Sequence, residues 1–259
     1  MVSRDPAKET ELRVLFLGNS LTYYNDMPAL FRDLSLSAGK KIYVDSVTKG
    51  AATVAQFADV NTEIGASAYG KLTGEKWDVI IIEPSRRITP DEDTILNAEL
   101  YAASVISDLA EKAGASLMLY SVWGNNNGVL NIYGMTGNSS SKTISSREIT
   151  HREHAKLMYD ANVKVSDFLG GVPLVGAGFA FENVMSARPD IDLYYTDQRH
   201  PSLAGSYLTA CCFFAAIYGE KNAPLTYTAG LPDDAAAVLR EYADKTVLEG
   251  LLPDGITLR

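Results

Sequence analysis

Residues 12–21 read LRVLFLGNSL, a mostly apolar run that is followed by Gly18, Asn19, Ser20 and Leu21. The apolar part, at residues 12–17, predicts a strand that is buried on both faces. Gly18 permits a tight turn directly after that strand, and a helix is predicted over residues 27–38. We therefore expect Ser20 in the turn at the end of the strand, although a purely structural strand-to-helix turn would carry the same pattern.

Short apolar runs and longer helical patterns alternate along the rest of the chain. Further strands are predicted at residues 42–47, 79–82, 117–122 and 172–175, and further helices at residues 53–71, 91–113, 145–168, 202–218 and 235–248. This alternation predicts an α/β protein with a mostly parallel five-stranded sheet and helices on both of its faces. Because no repeat or linker divides the sequence, we expect one domain over residues 1–259, with a core at about 11–220 and a C-terminal helical extension at about 221–259.

The composition narrows the possible partners and the compartment. The 259 residues carry a formal net charge of −9, whereas nucleic acids and anionic membranes attract surfaces rich in Lys and Arg. No apolar run approaches the ~18 residues of a membrane helix, and the charged residues at 1–6 are unlike a secretory signal. The chain as given is therefore predicted to be cytoplasmic and to bind neither nucleic acid nor membrane. The alternative that a leader has been removed from a longer precursor stays open. The adjacent Cys211 and Cys212 are predicted to be small core residues in a reducing compartment.

Residues 197–202 read DQRHPS and bring a carboxylate and an imidazole within three positions of each other. An imidazole exchanges protons near neutral pH, Asp197 can accept a hydrogen bond from the ring of His200, and Pro201 restricts the backbone before it. A serine hydroxyl becomes a nucleophile when a base takes its proton and a third group orients that base. Ser20, His200 and Asp197 are thus predicted to form a catalytic triad, although an Asp-x-x-His segment can also be a structural helix cap.

Together, the segments at residues 18–21 and 197–202 resemble the SGNH hydrolase superfamily of GDSL-type esterases and lipases, and the resemblance extends over about residues 11–220. It implies a three-layer α/β/α, flavodoxin-like fold and ester hydrolysis without a metal or an organic cofactor. It also implies that the serine, the histidine and the aspartate of the triad act as nucleophile, general base and orienting group. Gly50 matches the family's second block, whose glycine N–H helps to bind the oxyanion beside the N–H of Ser20.

One block departs from the family pattern. Family members usually place an asparagine after the third strand as a further oxyanion donor, whereas residues 82–87 read IEPSRR. Glu83 is closest in shape, but a carboxylate that faces the oxyanion would repel the negative charge developing there. Ser85, Arg86 and Asn125 are left as candidates for the missing donor, and Glu83 is expected either to pair with a neighbouring arginine or to weaken catalysis.

The segment at residues 123–143 is rich in Asn, Gly and Ser and follows the fourth predicted strand. It should emerge at the carboxyl edge of the sheet, where open α/β folds bind ligands, either as a substrate-shaping lid or as a surface excursion. Tyr23, Glu83 and Trp123 are candidate substrate-binding residues. The polar segment and the acidic charge favour short acyl groups on polar or carbohydrate alcohols. Lipase-type and thioesterase-type substrates, and acyl transfer to an acceptor other than water, stay open.

Two alternatives concern other kinds of site. A catalytically weak carbohydrate-binding module on the same fold would result if Glu83 spoiled the oxyanion hole. His151 and His154 lie three positions apart among basic residues, so we expect them on a solvated charged face. No metal site is predicted, since the sequence has neither a Cys-x-x-Cys pair nor a His-Glu-x-x-His pattern.

Overall fold

The computed structural model describes residues 11–84, 94–136 and 140–257. Its strands are β1 (Leu12–Gly18), β2 (Ile42–Thr48), β3 (Val79–Ile82), β4 (Ser116–Tyr120), β5 (Val129–Thr136), β6 (Ser140–Glu148) and β7 (Leu174–Val175). Its helices are α1 (Ser20–Tyr23), α2 (Met27–Ser37), α3 (Val54–Ala58), α4 (Glu63–Gly74), α5 (Thr94–Ala113), α6 (His151–Phe168), α7 (Ala177–Ala187), α8 (Leu203–Tyr218) and α9 (Asp233–Val247). A 3-10 turn over Tyr24–Asp26 joins α1 to α2.

Five parallel strands form the central sheet, in the order β2-β1-β3-β4-β7. The prediction of a mostly parallel five-stranded sheet is therefore confirmed. The chain runs from β1 to β2 on one side and then crosses to β3 on the other, so the strand order reverses at β1. Ligands of open α/β sheets bind outside the carboxyl ends of the strands at such a switch point. Ser20, directly after β1, lies at that position.

Strand β1 is buried on both faces because its side chains alternate between two hydrophobic clusters. Val14 and Phe16 belong to the cluster that includes α2, α8 and α9, and the ring of Phe16 lies edge-on to that of Phe213, with centroids 5.1 Å apart. Leu15 and Leu17 belong to the second cluster, which includes α3, α4 and α5. A sheet with a helical layer on each face is the expected three-layer α/β/α arrangement.

Two helical segments differ from the prediction. The helix expected over residues 53–71 is divided into α3 and α4, because the Thr62 hydroxyl donates to the Asp59 carbonyl oxygen at 2.9 Å and accepts the Gly65 N–H at 3.0 Å. That arrangement starts a new helix at its N-cap. Helix α7 is not predicted at all. Its residues are buried almost throughout, so it lacks the polar face from which a helical period could be read.

The segment at residues 123–143 also differs. It contains most of an antiparallel hairpin of β5 and β6, and α6 begins only at His151, where Thr150 and Glu153 form a capping box. The predicted start of that helix at residue 145 is therefore wrong. A composition of Asn, Gly and Ser is typical of loops, and it conceals a hairpin whose pairing depends on backbone groups.

The remaining predictions concern the core and the C-terminal region. Cys211 and Cys212 on α8 are fully buried, as predicted, and burial raises the pKa of both thiols. Helix α9 packs against α7 and α8. In the part of the chain that the structure describes, no helix has both the length and the apolar character needed to cross a membrane.

Candidate active site

Ser20 is the first residue of α1, immediately beyond the carboxyl end of β1. Asn19 is the N-cap of that short helix: its Oδ1 accepts the Leu21 N–H at 3.1 Å, and its Nδ2 donates to the Ala52 carbonyl oxygen at 3.3 Å. The asparagine thereby ties the serine turn to the loop after β2, which contains Gly50. The serine turn and the Gly50 loop are therefore connected by the protein's own hydrogen bonds.

Glu83 supports this turn from below. The Glu83 N–H donates to the Leu17 carbonyl oxygen at 3.0 Å, which places the residue beside the end of β1. Its Oε2 accepts the Asn19 N–H at 3.0 Å and the Thr22 hydroxyl at 2.6 Å. With a side chain at position 18, a Cβ would lie 2.0 Å from Thr22 Oγ1 and 2.9 Å from Glu83 Oε2. Gly18 is therefore required by the close approach of this buried pair.

The predicted triad residues meet in one hydrogen-bonded chain. His200 Nε2 lies 2.8 Å from Ser20 Oγ, and His200 Nδ1 lies 2.5 Å from Asp197 Oδ2. In the tautomer that carries its proton on Nδ1, the imidazole donates to the carboxylate and its Nε2 accepts the serine O–H. This is the arrangement in which an imidazole can act as a general base.

The Asp197 carboxylate is held by three donors. Besides the imidazole, its Oδ1 accepts the N–H of Arg199 at 3.0 Å and the N–H of His200 at 2.9 Å. Partial burial opposes ionisation of this carboxyl group, but the hydrogen bonds outweigh it and hold the pKa of Asp197 below its ordinary value. The group therefore remains ionised at neutral pH beside the histidine it orients.

Two backbone N–H groups are available as oxyanion donors. Within the described ranges, neither the Ser20 N–H nor the Gly50 N–H has a protein acceptor. The loop that carries Gly50 is fixed because the Lys49 N–H donates to the Gly18 carbonyl oxygen at 3.3 Å and Ala51 adopts a left-handed φ of 58°. The predicted pair of donors is thus positioned on two segments joined by Asn19.

The third donor is not identified among the sequence candidates. Ser85 and Arg86 lie outside the described residues. Asn125 is described, and its Nδ2 donates to the Val129 carbonyl oxygen at 3.3 Å while its N–H donates to His154 Nδ1 at 3.1 Å. These contacts direct it toward the hairpin and α6, so it is a poor candidate for an oxyanion donor.

Comparison with known proteins agrees with this geometry. No protein-family model and no curated protein matches the sequence. Among solved structures, a candidate SGNH hydrolase from Slackia heliotrinireducens matches with a TM-score of 0.57 and 26% identity, over 78% of this chain and 96% of that one. The chain belongs to the SGNH hydrolase superfamily.

Two further solved structures share the fold of this SGNH hydrolase at lower identity. A DUF4886 family protein from Bacteroides uniformis matches with a TM-score of 0.72 and 16% identity, over 96% of this chain and 98% of that one. A mutant of Axe2, an acetyl-xylooligosaccharide esterase from a Geobacillus species, matches with a TM-score of 0.52 and 14% identity, over 82% of this chain and 97% of that one. The match to the Bacteroides uniformis protein covers nearly the whole chain, so the shared fold extends beyond the segments that the sequence motifs span.

The His200 loop of this SGNH hydrolase is held by contacts that the sequence did not indicate. Gln198 has a left-handed φ of 57°, and its backbone and side-chain oxygens accept the N–H and the Nδ2 of Asn126 at 2.9 and 2.7 Å. The Trp123 Nε1 donates to the Arg199 carbonyl oxygen at 3.0 Å. The start of the segment after β4 therefore fixes the loop that carries the base.

Two of the three candidate substrate-binding residues are buried. Trp123 is 0% exposed and its ring stacks on Phe181, with centroids 4.0 Å apart, so it is a core residue that supports the loop of His200. Glu83 is 1% exposed and its carboxylate accepts hydrogen bonds from the serine turn, which favours a supporting role over contact with a substrate. Tyr23 remains exposed beside the triad, and its role in binding stays a prediction.

The residues directly after the serine turn also hold the base, which the sequence did not indicate. The ring of Tyr24 stacks on the imidazole of His200, with centroids 4.2 Å apart and planes 5° from parallel. Asn25 Nδ2 donates to the Pro201 carbonyl oxygen at 3.1 Å and to Ser206 Oγ at 2.9 Å. Asn25 and Asp26 both adopt left-handed φ values, of 54° and 52°. Backbone strain of this kind persists where the surrounding structure holds it, often at functional sites.

The two remaining histidines have structural contacts. His154 is buried and accepts the Asn125 N–H, as described above, so the prediction of a solvated face is wrong for this residue. His151 Nδ1 lies 2.8 Å from both carboxylate oxygens of the buried Glu182. Among the residues described, no group of three or more His, Cys, Asp or Glu side chains is arranged to hold a metal ion.

Proposed function

We propose that this SGNH hydrolase is a serine esterase that cleaves carboxylic esters through an acyl-enzyme on Ser20. The observation that carries the proposal is the continuous chain from Ser20 Oγ through the imidazole of His200 to the Asp197 carboxylate, with distances of 2.8 and 2.5 Å. Such a chain supplies a nucleophile, a base and a group that orients the base.

The reaction follows from the positions of these groups. His200 Nε2 takes the proton of Ser20 as Oγ attacks the ester carbonyl carbon, and the carbonyl π electrons move to the oxygen. When the tetrahedral intermediate collapses, the bond to the alkoxy oxygen breaks and the imidazolium gives that oxygen the proton. After the alcohol leaves, water attacks the acyl carbon while His200 Nε2 takes its proton. The bond between the acyl carbon and Ser20 Oγ then breaks, and the imidazolium returns the proton to Oγ, which releases the acid. Asp197 holds the tautomer and stabilises the imidazolium.

In the proposed reaction, backbone donors stabilise the negative charge that develops on the carbonyl oxygen. The N–H groups of Ser20 and Gly50 are the donors we assign to it, since neither is paired with a protein acceptor among the described residues, and one preorganised donor typically lowers the barrier by about 3 kcal/mol. Glu83 lies beneath the serine turn, so its carboxylate does not have to face that oxygen. The carbohydrate-binding module relied on Glu83 spoiling the oxyanion hole, and it therefore loses its support.

We further propose short acyl groups on polar or carbohydrate alcohols as the substrate class. The acidic net charge of −9 and the polar segment after β4 support this class. The fold accommodates such chemistry, since Axe2, which shares it, is an acetyl-xylooligosaccharide esterase.

The experiment compares hydrolysis of p-nitrophenyl acetate, butyrate and octanoate by the wild type, Ser20→Ala and Ser104→Ala. Ser104 lies on α5, where its hydroxyl donates only to the Tyr101 carbonyl oxygen of the same helix, so it serves as a matched control. We expect turnover that falls with chain length, is retained in Ser104→Ala and is lost in Ser20→Ala. Full activity of Ser20→Ala would contradict the nucleophile, and a preference for octanoate would contradict the substrate class.

A further inference from the structure

Three tyrosine rings lie next to one another beside His200, and we call them the tyrosine cluster: Tyr23, Tyr24 and Tyr195. Tyr24 is central, since it stacks on the imidazole at 4.2 Å while the rings of Tyr23 and Tyr195 lie 5.8 and 6.4 Å from it. The side chains of Tyr23 and Tyr195 are 39% and 54% exposed. The cluster is therefore open to a ligand that reaches the triad.

The hydroxyl groups of the tyrosine cluster are also available. Within the described ranges, none of the three has a protein hydrogen-bond partner. Two buried tyrosines differ in this respect: the Tyr194 hydroxyl donates to the Gly124 carbonyl oxygen at 2.9 Å, and the Tyr207 hydroxyl donates to a carbonyl oxygen at 2.5 Å. The cluster thus offers flat apolar rings together with unused polar groups.

The position of the cluster identifies which half of the ester it would contact. His200 gives its proton to the leaving alkoxy oxygen, so the alcohol half of the substrate must lie next to the imidazole. Tyr24 covers one face of that imidazole, and Tyr195 lies beyond Tyr24 on the same loop as the base, where its N–H donates to the His200 carbonyl oxygen at 2.7 Å. An alcohol beside the imidazole would therefore lie next to the rings of Tyr24 and Tyr195, while the Tyr23 hydroxyl approaches the Gly50 loop, 3.4 Å from where a Cβ at Gly50 would lie.

We propose that the tyrosine cluster is the alcohol-side subsite and that the alcohol it binds is a pyranose sugar, an inference that rests on the proposed esterase function. A sugar ring presents a flat C–H face that packs on aromatic rings, and its edge carries hydroxyl groups that can pair with phenolic hydroxyls. An aliphatic alcohol would use the rings but leave the hydroxyls unpaired. The combination of exposed rings and unused hydroxyls therefore favours a sugar.

The test uses two acetyl esters that give the same acyl-enzyme and differ only in the alcohol. Acetate release from an O-acetylated methyl glucopyranoside and from ethyl acetate is followed by pH-stat, and the ratio of the two kcat/KM values is the readout. We expect Tyr195→Ala to lower this ratio about tenfold and Tyr195→Phe, which keeps the ring, to lower it about threefold. Tyr101→Ala is the control, because Tyr101 is 73% exposed on α5 and should leave both values unchanged.

The outcomes separate this inference from the function on which it rests. An unchanged ratio in Tyr195→Ala, or equal losses on both esters, would overturn the sugar subsite while the esterase proposal stands. Failure of the wild type to cleave either ester would overturn the esterase proposal and this inference with it. If Tyr195→Ala does not fold, Tyr195→Phe decides, because it removes only the hydroxyl and a ratio equal to that of the wild type would count against the proposal.

Discussion

Replacing Glu83 by glutamine tests whether this carboxylate opposes catalysis or supports the fold. Glutamine keeps the shape of the side chain and one oxygen that can accept the Asn19 N–H and the Thr22 hydroxyl, which lie 3.0 and 2.6 Å from Oε2. What changes is the charge on the acceptor. Because the carboxylate faces the underside of the serine turn, we expect Glu83→Gln to affect stability and to leave the chemistry nearly intact.

The magnitude follows from these two contacts. A hydrogen bond to a charged group contributes about 1.5–3 kcal/mol, against about 0.5–1.5 kcal/mol for a neutral one, so each bond loses about 1 kcal/mol. The free energy of unfolding should therefore fall by about 2 kcal/mol, while kcat/KM for p-nitrophenyl acetate should stay within about threefold. Urea denaturation measures the first quantity and initial rates measure the second.

A double-mutant cycle with Thr22→Val identifies the contact responsible. Thr22 is buried, and valine removes its hydroxyl at nearly constant shape. If the bond carries the effect, the losses from Glu83→Gln and Thr22→Val should sum to more than the loss of the double variant, by about 1 kcal/mol. A tenfold or larger rise in kcat/KM of Glu83→Gln would contradict this supporting role, since it would mean that the carboxylate repels the oxyanion.

Three further predictions concern the Asp197 carboxylate, the serine turn and the thiols. Above about pH 4 the hydrogen-bonded Asp197 carboxylate adds to the free energy of unfolding, and this contribution is lost as the pH falls through the lowered pKa of the folded state. In Asp197→Asn, the free energy of unfolding measured in urea should therefore depend less on pH in the acid range. The same variant should lower kcat about 10⁴-fold. Gly18→Ala should lower the free energy of unfolding by about 1–3 kcal/mol, because its Cβ would lie 2.0 Å from the buried Thr22 hydroxyl. Gly70→Ala, whose Cβ would have no atom within 4 Å, should be neutral or stabilising. Equal effects of the two substitutions would contradict the close approach at Gly18. A thiol reagent should modify neither of the two buried cysteines in the native protein and both after unfolding, since burial raises their pKa, and rapid modification of the native protein would contradict their placement.

The central sheet could be predicted because its strands are buried on both faces, and such strands are visible in the sequence as short, continuous apolar runs. The contact between Ser20, His200 and Asp197 could be expected because the two segments that carry them match paired motifs of one superfamily, whereas each segment alone also fits a structural turn or helix cap. Helix α7 could not, because burial on all sides removes the period that marks a helix. The hairpin of β5 and β6 could not, because its pairing joins residues whose composition is typical of loops.

The supporting residues of the site escaped prediction for a different reason. Glu83 stood out as an oxyanion problem, yet its role depends on Asn19 and Thr22, which are more than 60 positions away along the chain. The stack of Tyr24 on His200 joins residues even further apart. Such contacts cannot be predicted from the local sequence, because they depend on the order of the strands in the sheet and not on the secondary-structure propensity of any segment.

The serine turn and the residues that follow it contact every other part of the site. Asn19 joins the turn to the loop of Gly50, and Tyr24 and Asn25 join it to the loop of His200. Two consecutive left-handed residues cost about 1–3 kcal/mol each, and the bonds of Asn25 to Pro201 and Ser206 offset part of that cost. Because Asn19, Tyr24 and Asn25 connect the turn of Ser20 to the loops of Gly50 and His200, the relative positions of these three residues are set when the chain folds. A site built in this way does not have to reorganise as the charge develops, which is the condition under which backbone donors stabilise an oxyanion most effectively.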